Sequence, residues 1–271
     1  MRQKLARLFT LLGLAFALIS FSAISCEMVM GYRTSARLPF IEEQPSKQGL
    51  YFSLYQKALQ NIGCTLTVRR APKKRILKLI AAGEVDFYPG LGFSKEREQY
   101  LHYIESGIMS NVVAISHKDT PDINSLSDMT GKILLTAIGS NNLNIQGYNI
   151  YLRQAHDLSV ATAIELLVDK RVDFYFYNEA NIRYHLKKNP NENIKIHPCC
   201  FTPRPLYLGF SKKSIHVQAV SNPNYSETLP VSASNSRQRL ASTSKAFAFQ
   251  QALKDLKDRG FINKLEQTYF N

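Results

Sequence analysis

The sequence predicts an α/β protein made of two similar lobes with a cleft between them. Three observations carry that prediction. Val85-Asp86-Phe87-Tyr88 recurs as Val172-Asp173-Phe174-Tyr175, 87 positions further on. Each copy follows an amphipathic stretch and a tight turn, Ile76 to Glu84 before the first and Ala163 to Arg171 before the second. Strand-like and helix-like segments alternate around both copies. A helix–strand unit repeated at domain-length spacing indicates two lobes of like build, and clefts between domains are common sites for small ligands.

The elements follow in order. Met28 to Arg33 reads as a short apolar strand. Thr34 to Gln48 is polar, holds Pro39 and Pro45, and reads as a loop. Leu50, Leu54, Ala58 and Ile62 recur at helical spacing with Tyr51, Tyr55 and Leu59 alongside, until Gly63 stops the helix. Thr65 to Val68 alternates like a strand, Pro72 opens the next helix, and Gly83-Glu84 turns it into the first repeated strand. The order β-α-β-α-β implies a parallel sheet with right-handed crossovers. Gly90 to Ser94 loops out of that strand, and Ser94 can cap a helix containing Glu96 and Arg97.

Val112 to Ser116 is another apolar strand; Thr120-Pro121-Asp122 turns it toward a short helix over Ser125 to Thr130. Lys132 to Ile138 starts a second unit. It runs through Gly139-Ser140-Asn141 to helices near Ile145–Ala155 and Ala161–Val168, then into the second repeated strand. A helix over Glu179 to Lys188 and an extended run from Pro203 to Phe210 come next. Residues 215–244, rich in Ser, Asn, Pro and Gln, read as a mobile loop or an inserted arm. A helix over Phe247 to Asp258, a Gly260 stop and a short helix to Phe270 complete the chain.

Residues 1–25 read as a secretory signal peptide: Arg2, Lys4 and Arg7 precede an apolar run from Leu8 to Phe21, and Ala23-Ile24-Ser25 offers small residues for cleavage. An apolar run of about 14 residues is short of the ~20 needed to span a bilayer. Export to the periplasm is therefore expected. A lipid on Cys26 is the alternative to plain cleavage, but Ala23 stands where the lipoprotein pattern prefers Leu. The net charge of +13 falls to about +10 without the leader. Its Lys and Arg residues are dispersed, which suits a solvated surface better than a nucleic-acid partner, and an exported protein meets no nucleic acid.

Export permits disulfides, and Cys26, Cys64, Cys199 and Cys200 allow three pairings. Cys26 opens the first strand and Cys64 the second; if these strands are parallel neighbours, their Cα atoms fall within the ~7 Å a disulfide requires. A bond between adjacent Cys199 and Cys200 would be strained, and two reduced thiols are the alternative. No Cys-x-x-Cys or paired-histidine spacing is present, so neither a metal nor a cofactor is implied.

Three stretches carry a family resemblance: Ala71-Pro72-Lys73-Lys74-Arg75, then Gly83-Glu84-Val85-Asp86, then Ser94-Lys95-Glu96-Arg97-Glu98. In order and spacing they resemble the Pro-aromatic-x-Arg, Gly-x-x-Asp and Ser/Thr-x-x-Arg series of the type 2 periplasmic binding proteins, specifically the family 3 solute-binding proteins that serve ABC importers. The resemblance covers residues 28–271. It implies two Rossmann-like lobes joined by a hinge, the periplasmic-binding-protein-like II fold. Lobe 1 would comprise 26–114 plus 206–271, with 215–244 inserted in it, and lobe 2 would comprise 115–205.

The resemblance also implies a binding protein rather than an enzyme, with a small carboxylate-bearing ligand, an inner-membrane ABC permease as partner, and a monomeric state. Arg97 matches the family's carboxylate-binding Arg, and a planar guanidinium suits a carboxylate through two parallel hydrogen bonds. Ser94 matches the hydroxyl of that loop. Gly90 and Gly92 would let backbone approach the ligand, and Gly139, Ser140 and Asn141 would face it from lobe 2. Arg37 and Phe40 lie in the first loop, where family members line the cleft. Lys73 replaces the usual aromatic residue; with no Trp in the chain, Tyr32, Phe40 or Phe93 would have to supply any aromatic wall.

One departure concerns charge. Amino-acid binders of the family hold the ligand's ammonium with a carboxylate at the position of Asn178 here, with Glu179 beside it. A neutral amide serves an ammonium less well. Two alternatives to import remain at this point: an enzyme on the same scaffold, dehydratase-like, with Glu179 as its one nearby carboxylate, or a sensory module whose 215–244 segment contacts a membrane partner.

Overall fold

The computed structural model describes residues 26–137, 145–155 and 158–270. The first sheet is built from β1 (Cys26–Tyr32), β2 (Cys64–Arg70), β3 (Phe87–Leu91) and β4 (Leu101–Ser110), with helices α1 (Leu50–Gln60), α2 (Lys73–Ala82) and the short α3 (Lys95–Glu98) between them. The second contains β5 (Val112–His117), β6 (Ile133–Ala137), β7 (Tyr151–Ala155), β8 (Phe174–Asn178) and β9 (Ile194–Cys200), with α4 (Val160–Val168) and α5 (Glu179–Lys188). The chain then returns to the first sheet as β10 (Arg204–Ser211). It continues through the ribbon strands β11 (Ala219–Ser221) and β12 (Gln238–Leu240) to α6 (Lys245–Asp258) and α7 (Phe261–Phe270).

The strand orders are β2-β1-β3-β10-β4 and β7-β6-β8-β5-β9. In each sheet three strands run parallel and the fourth is antiparallel to the third. The lobes thus repeat one plan, as the doubled Val-Asp-Phe-Tyr implies. The repeated aspartates do the same work in each. Asp86 Oδ2 accepts from Val29 N at 2.7 Å and its own N–H donates to Val29 O; Asp173 Oδ2 accepts from Ile133 N at 2.7 Å and its N–H donates to Ile133 O. Each carboxylate satisfies a backbone donor that the parallel ladder leaves over.

Both faces of each sheet are covered, which is why the central strands read as continuous apolar runs. In lobe 1, α1 turns Leu50, Tyr51, Leu54, Tyr55, Ala58 and Leu59 onto β1 and β3, beside Phe249 of α6. The other face packs Ile76 and Ile80 of α2 on Val85 and Tyr88. In lobe 2, Leu135 and Tyr175 meet Ile164 and Leu167 of α4, while Phe174 and Phe176 point the other way to Met129 and Ile123.

Several expectations are corrected. The sheet changes at Asn111, so Val112, Val113 and Ala114 belong to lobe 2; the return falls at 201–203, so Pro205 belongs to lobe 1. Ile145–Ala155 is not a helix: Gly147 and Asn149 take positive φ, 89° and 47°, and Tyr151–Ala155 pairs parallel with β6. β4 and β9 were not anticipated. The 215–244 segment is an arm with its own β11–β12 ribbon, tied to lobe 1 where Ser236 Oγ donates to Glu98 Oε1 at 2.7 Å. Cys26 and Cys64 are register partners in β1 and β2 and are bonded, with Cα atoms 4.6 Å apart. Cys199 and Cys200 are also bonded to each other rather than reduced. Among the described residues no helix is long and apolar enough to cross a membrane.

Candidate functional site

Topology sets two strand edges opposite each other. In lobe 1, Leu91 at the end of β3 pairs with Tyr207, close to where β10 enters, and Ser110 at the end of β4 pairs with Arg204. The carboxyl end of the parallel strands therefore lies on the side of the chain crossings. In lobe 2, Asn178 at the end of β8 pairs with Val112, the first residue after the other crossing. Both carboxyl edges face the crossings, and in open α/β sheets that is the edge where ligands bind.

The loops leaving β1, β2 and β3 carry four cations to this edge. Arg97 follows β3. Its Nε donates to Tyr103 Oη at 3.3 Å and its Nη2 donates to Gly92 O at 3.1 Å. These bonds use one side of the guanidinium and leave Nη1 and the second Nη2 hydrogen without an acceptor among the described residues, an arrangement suited to a bidentate carboxylate. Arg33 follows β1 and donates from Nε to Ser35 Oγ at 2.7 Å. Arg37 lies in the same loop, its guanidinium 5.2 Å from the centre of the Phe40 ring. Lys73 opens α2, with its ammonium 6.0 Å from the centre of the Tyr88 ring.

Among the described residues none of these four cations pairs with a carboxylate. Lys73 is exposed as a residue, yet its pKa is lowered, first by loss of hydration and then by Arg97, Arg37 and Arg33. The charged groups that act on it are all cations. Burial raises the pKa of the Tyr88 hydroxyl, and Arg33 and Arg37 oppose that rise. Gly90 sits at φ +67°, and a Cβ there would meet Tyr51 Oη at 2.2 Å. That hydroxyl is buried and has no hydrogen-bond partner among the described residues.

The loop before α1 is held by Arg70, which donates from Nη1 to Arg33 O at 2.9 Å and from Nη2 to Glu42 O at 2.8 Å. Arg70 is thus a scaffold residue, although it belongs to the basic run that includes Lys73.

The other expected site residues divide. Gly92 is exposed and contributes the carbonyl that orients Arg97. Ser94 accepts from Arg97 N at 3.4 Å and caps α3. Phe40 is corrected: it is 1% exposed and stacks on Tyr51 with ring centres 5.0 Å apart, because an apolar ring gains more in the lobe 1 core than at a wet rim. Tyr32 is also fully buried, so of the three aromatic candidates only Phe93 remains partly accessible. Gly139, Ser140 and Asn141 lie outside the described residues.

Asn178 is also corrected. It is 8% exposed; its Oδ1 accepts from Ala180 N at 3.1 Å and its Nδ2 donates to Ser110 Oγ at 3.2 Å. It caps α5 and ties that cap to the first crossing. Glu179 is engaged on both oxygens. Oε1 receives Arg183 Nε at 2.7 Å and Nη2 at 2.6 Å, while Oε2 receives Asn111 Nδ2 at 2.6 Å. Such a carboxylate is no free base. Tyr103 and Arg33 were missed by sequence reasoning; the only signal for Arg33 was its place directly after a strand.

Two hollows lie apart from the cation cluster. One of about 950 Å³ opens beneath the arm, beside His102 and Phe247, and one of about 430 Å³ lies between Glu179 and Phe270. Neither is lined by Arg33, Arg37, Lys73 or Arg97. The cluster is the candidate site, since charge and strand topology coincide there.

The family model of the bacterial extracellular solute-binding proteins, family 3, matches residues 28–271. The chain belongs to that family. This solute-binding protein is 23% identical over 175 residues to the L-cystine-binding protein TcyA of Bacillus subtilis (strain 168), a match covering 65% of this chain and 54% of TcyA. The match thus spans about half the length of that relative. Its fold is similar to the L-cystine solute receptor of Neisseria gonorrhoeae in the unliganded open conformation: TM-score 0.68, 19% identity, covering 91% of this chain and 93% of that one. It is also similar to the GluR0 ligand-binding core complexed with L-glutamate: TM-score 0.64, 14% identity, covering 92% of this chain and all of that one. The family is one of bacterial extracellular solute-binding proteins.

Proposed function

We propose that this family 3 protein captures a small carboxylate-bearing solute, an amino acid or related polar compound, in the periplasm and presents it as a monomer to an inner-membrane ABC permease. The observation that carries the reading is Arg97: a guanidinium fixed by Tyr103 and Gly92, with its bidentate edge free, at the carboxyl end of the lobe 1 strands. TcyA is an L-cystine-binding protein and the GluR0 core is complexed with L-glutamate; both ligands are amino acids, and each contains a carboxylate. Cys26 Sγ is bonded to Cys64, which favours plain leader cleavage over a lipid on that sulfur.

A thermal-shift screen of amino acids and other small carboxylates tests the reading. A true ligand at 100 times its dissociation constant adds about 2.7 kcal/mol of stability. Arg97→Ala should abolish that gain while leaving the unliganded melting temperature nearly unchanged, since Arg97 is only half-buried. An equal gain in the variant would remove Arg97 from the site.

A further inference from the structure

The cation cluster goes further than one carboxylate requires. Arg97 alone can hold such a group, yet Arg33, Arg37 and Lys73 stand beside it without a carboxylate partner among the described residues. Like charges gathered without a counter-charge repel each other, and the lowered pKa of Lys73 reports that repulsion together with its dehydration. Such an arrangement is stabilised when an anion arrives. Where the family's ammonium-binding carboxylate is expected, Asn178 is neutral and hydrogen-bonded at both ends of its amide, and the neighbouring Glu179 is held by Arg183 and Asn111. Beneath Gly90 the buried hydroxyl of Tyr51 has no hydrogen-bond partner among the described residues.

We propose that the cleft selects a small organic dianion without need of an ammonium group, Arg97 taking one anionic group and Arg33, Arg37 and Lys73 the other. The proposal rests on the reading of this cleft as the ligand site and deepens it. The second group is either a carboxylate or a phosphate monoester, both of which answer the same three cations.

Isothermal titration of the purified protein tests this with succinate, glutarate, glycerol phosphate, propionate, glutamate, glutamine and arginine. A dicarboxylate or the phosphate ester should bind at least about tenfold more tightly than glutamine or arginine; whichever wins identifies the second group. Lys73→Gln and Arg37→Gln should each weaken the dianion about tenfold and leave propionate unaffected. If glutamine or arginine binds best, depends on Arg97 and is indifferent to Lys73→Gln, the dianion proposal is wrong and the carboxylate reading stands. If none of the seven binds in an Arg97-dependent way, both readings fail.

Discussion

At the scale of single residues, the candidate site depends on where side chains can and cannot be placed. Gly90 is such a point: its φ of +67° suits glycine, and Tyr51 Oη occupies the space a Cβ would need. Gly90→Ala should therefore cost about 2–3 kcal/mol in urea denaturation. Tyr51→Phe in the same chain should recover part of the loss by removing the clashing oxygen. No recovery would mean that the backbone conformation alone sets the cost. Arg97 and Gly90 were legible in the sequence because a motif surrounds them. Phe40 was misread because an aromatic residue in a polar loop fits a cleft wall and a core anchor equally well. Nothing local shows that Tyr51 of the next helix lies under it. Arg33 and Tyr103 were illegible for a related reason: their partners, Ser35 apart, come from other strands and loops.

Secondary elements show the repeat most directly. Gly83 ends α2 at φ 87°, with Glu84 N donating to Leu79 O at 2.9 Å. The same turn ends α4, with Arg171 N donating to Leu166 O at 2.9 Å, but its left-handed position is Lys170, at φ 54°. A side chain there carries a steric cost that glycine lacks. Lys170→Gly should raise stability by up to about 1 kcal/mol, because the ion pair it gives up, with Asp119 at 3.1 Å, is exposed on both sides and worth little. A fall in the urea midpoint would show that the pair outweighs the backbone strain. The helix–turn–strand units were readable because apolar spacing, turn and strand lie in sequence together. β4 was not: its ten residues include Gly107 and His102, and they are held by β10, about a hundred positions away. The stretch 145–155 failed differently, since helical spacing was counted across Gly147, whose positive φ breaks a helix.

For the molecule as a whole, acid is the expected weak point. His102 on β4 is 6% exposed and its Nε2 has no partner among the described residues. Burial, aided by Lys212 and opposed by Glu98, lowers its pKa from 6.5 to about 4. Burial also lowers His197, whose Nδ1 accepts from Ile123 N and so favours the neutral ring, and it lowers His185. A base with a lowered folded-state pKa binds protons more readily when unfolded. Its contribution to stability is therefore intact above about pH 6.5 and is lost as pH falls through 4. For His102 the loss reaches about 3 kcal/mol. Urea midpoints measured from pH 7 down to 4 should fall accordingly, and His102→Gln should flatten the curve. An unchanged slope in that variant would assign the acid sensitivity to other groups.

The order of the strands also sets the order in which the protein can be assembled. The middle of the chain, residues 112–200, holds all five strands of its own sheet in one unbroken run. The first sheet is different: β10 wedges between β3 and β4, and it is made only after the whole middle segment. Until then β3 and β4 have no common neighbour, and the N-terminal third stays open along a seam. Closing that seam spans a long loop, which is slow on entropic grounds. The inner half can thus mature while the outer one waits, so a chain cut short before residue 204 would hold one finished lobe and one that cannot be sealed.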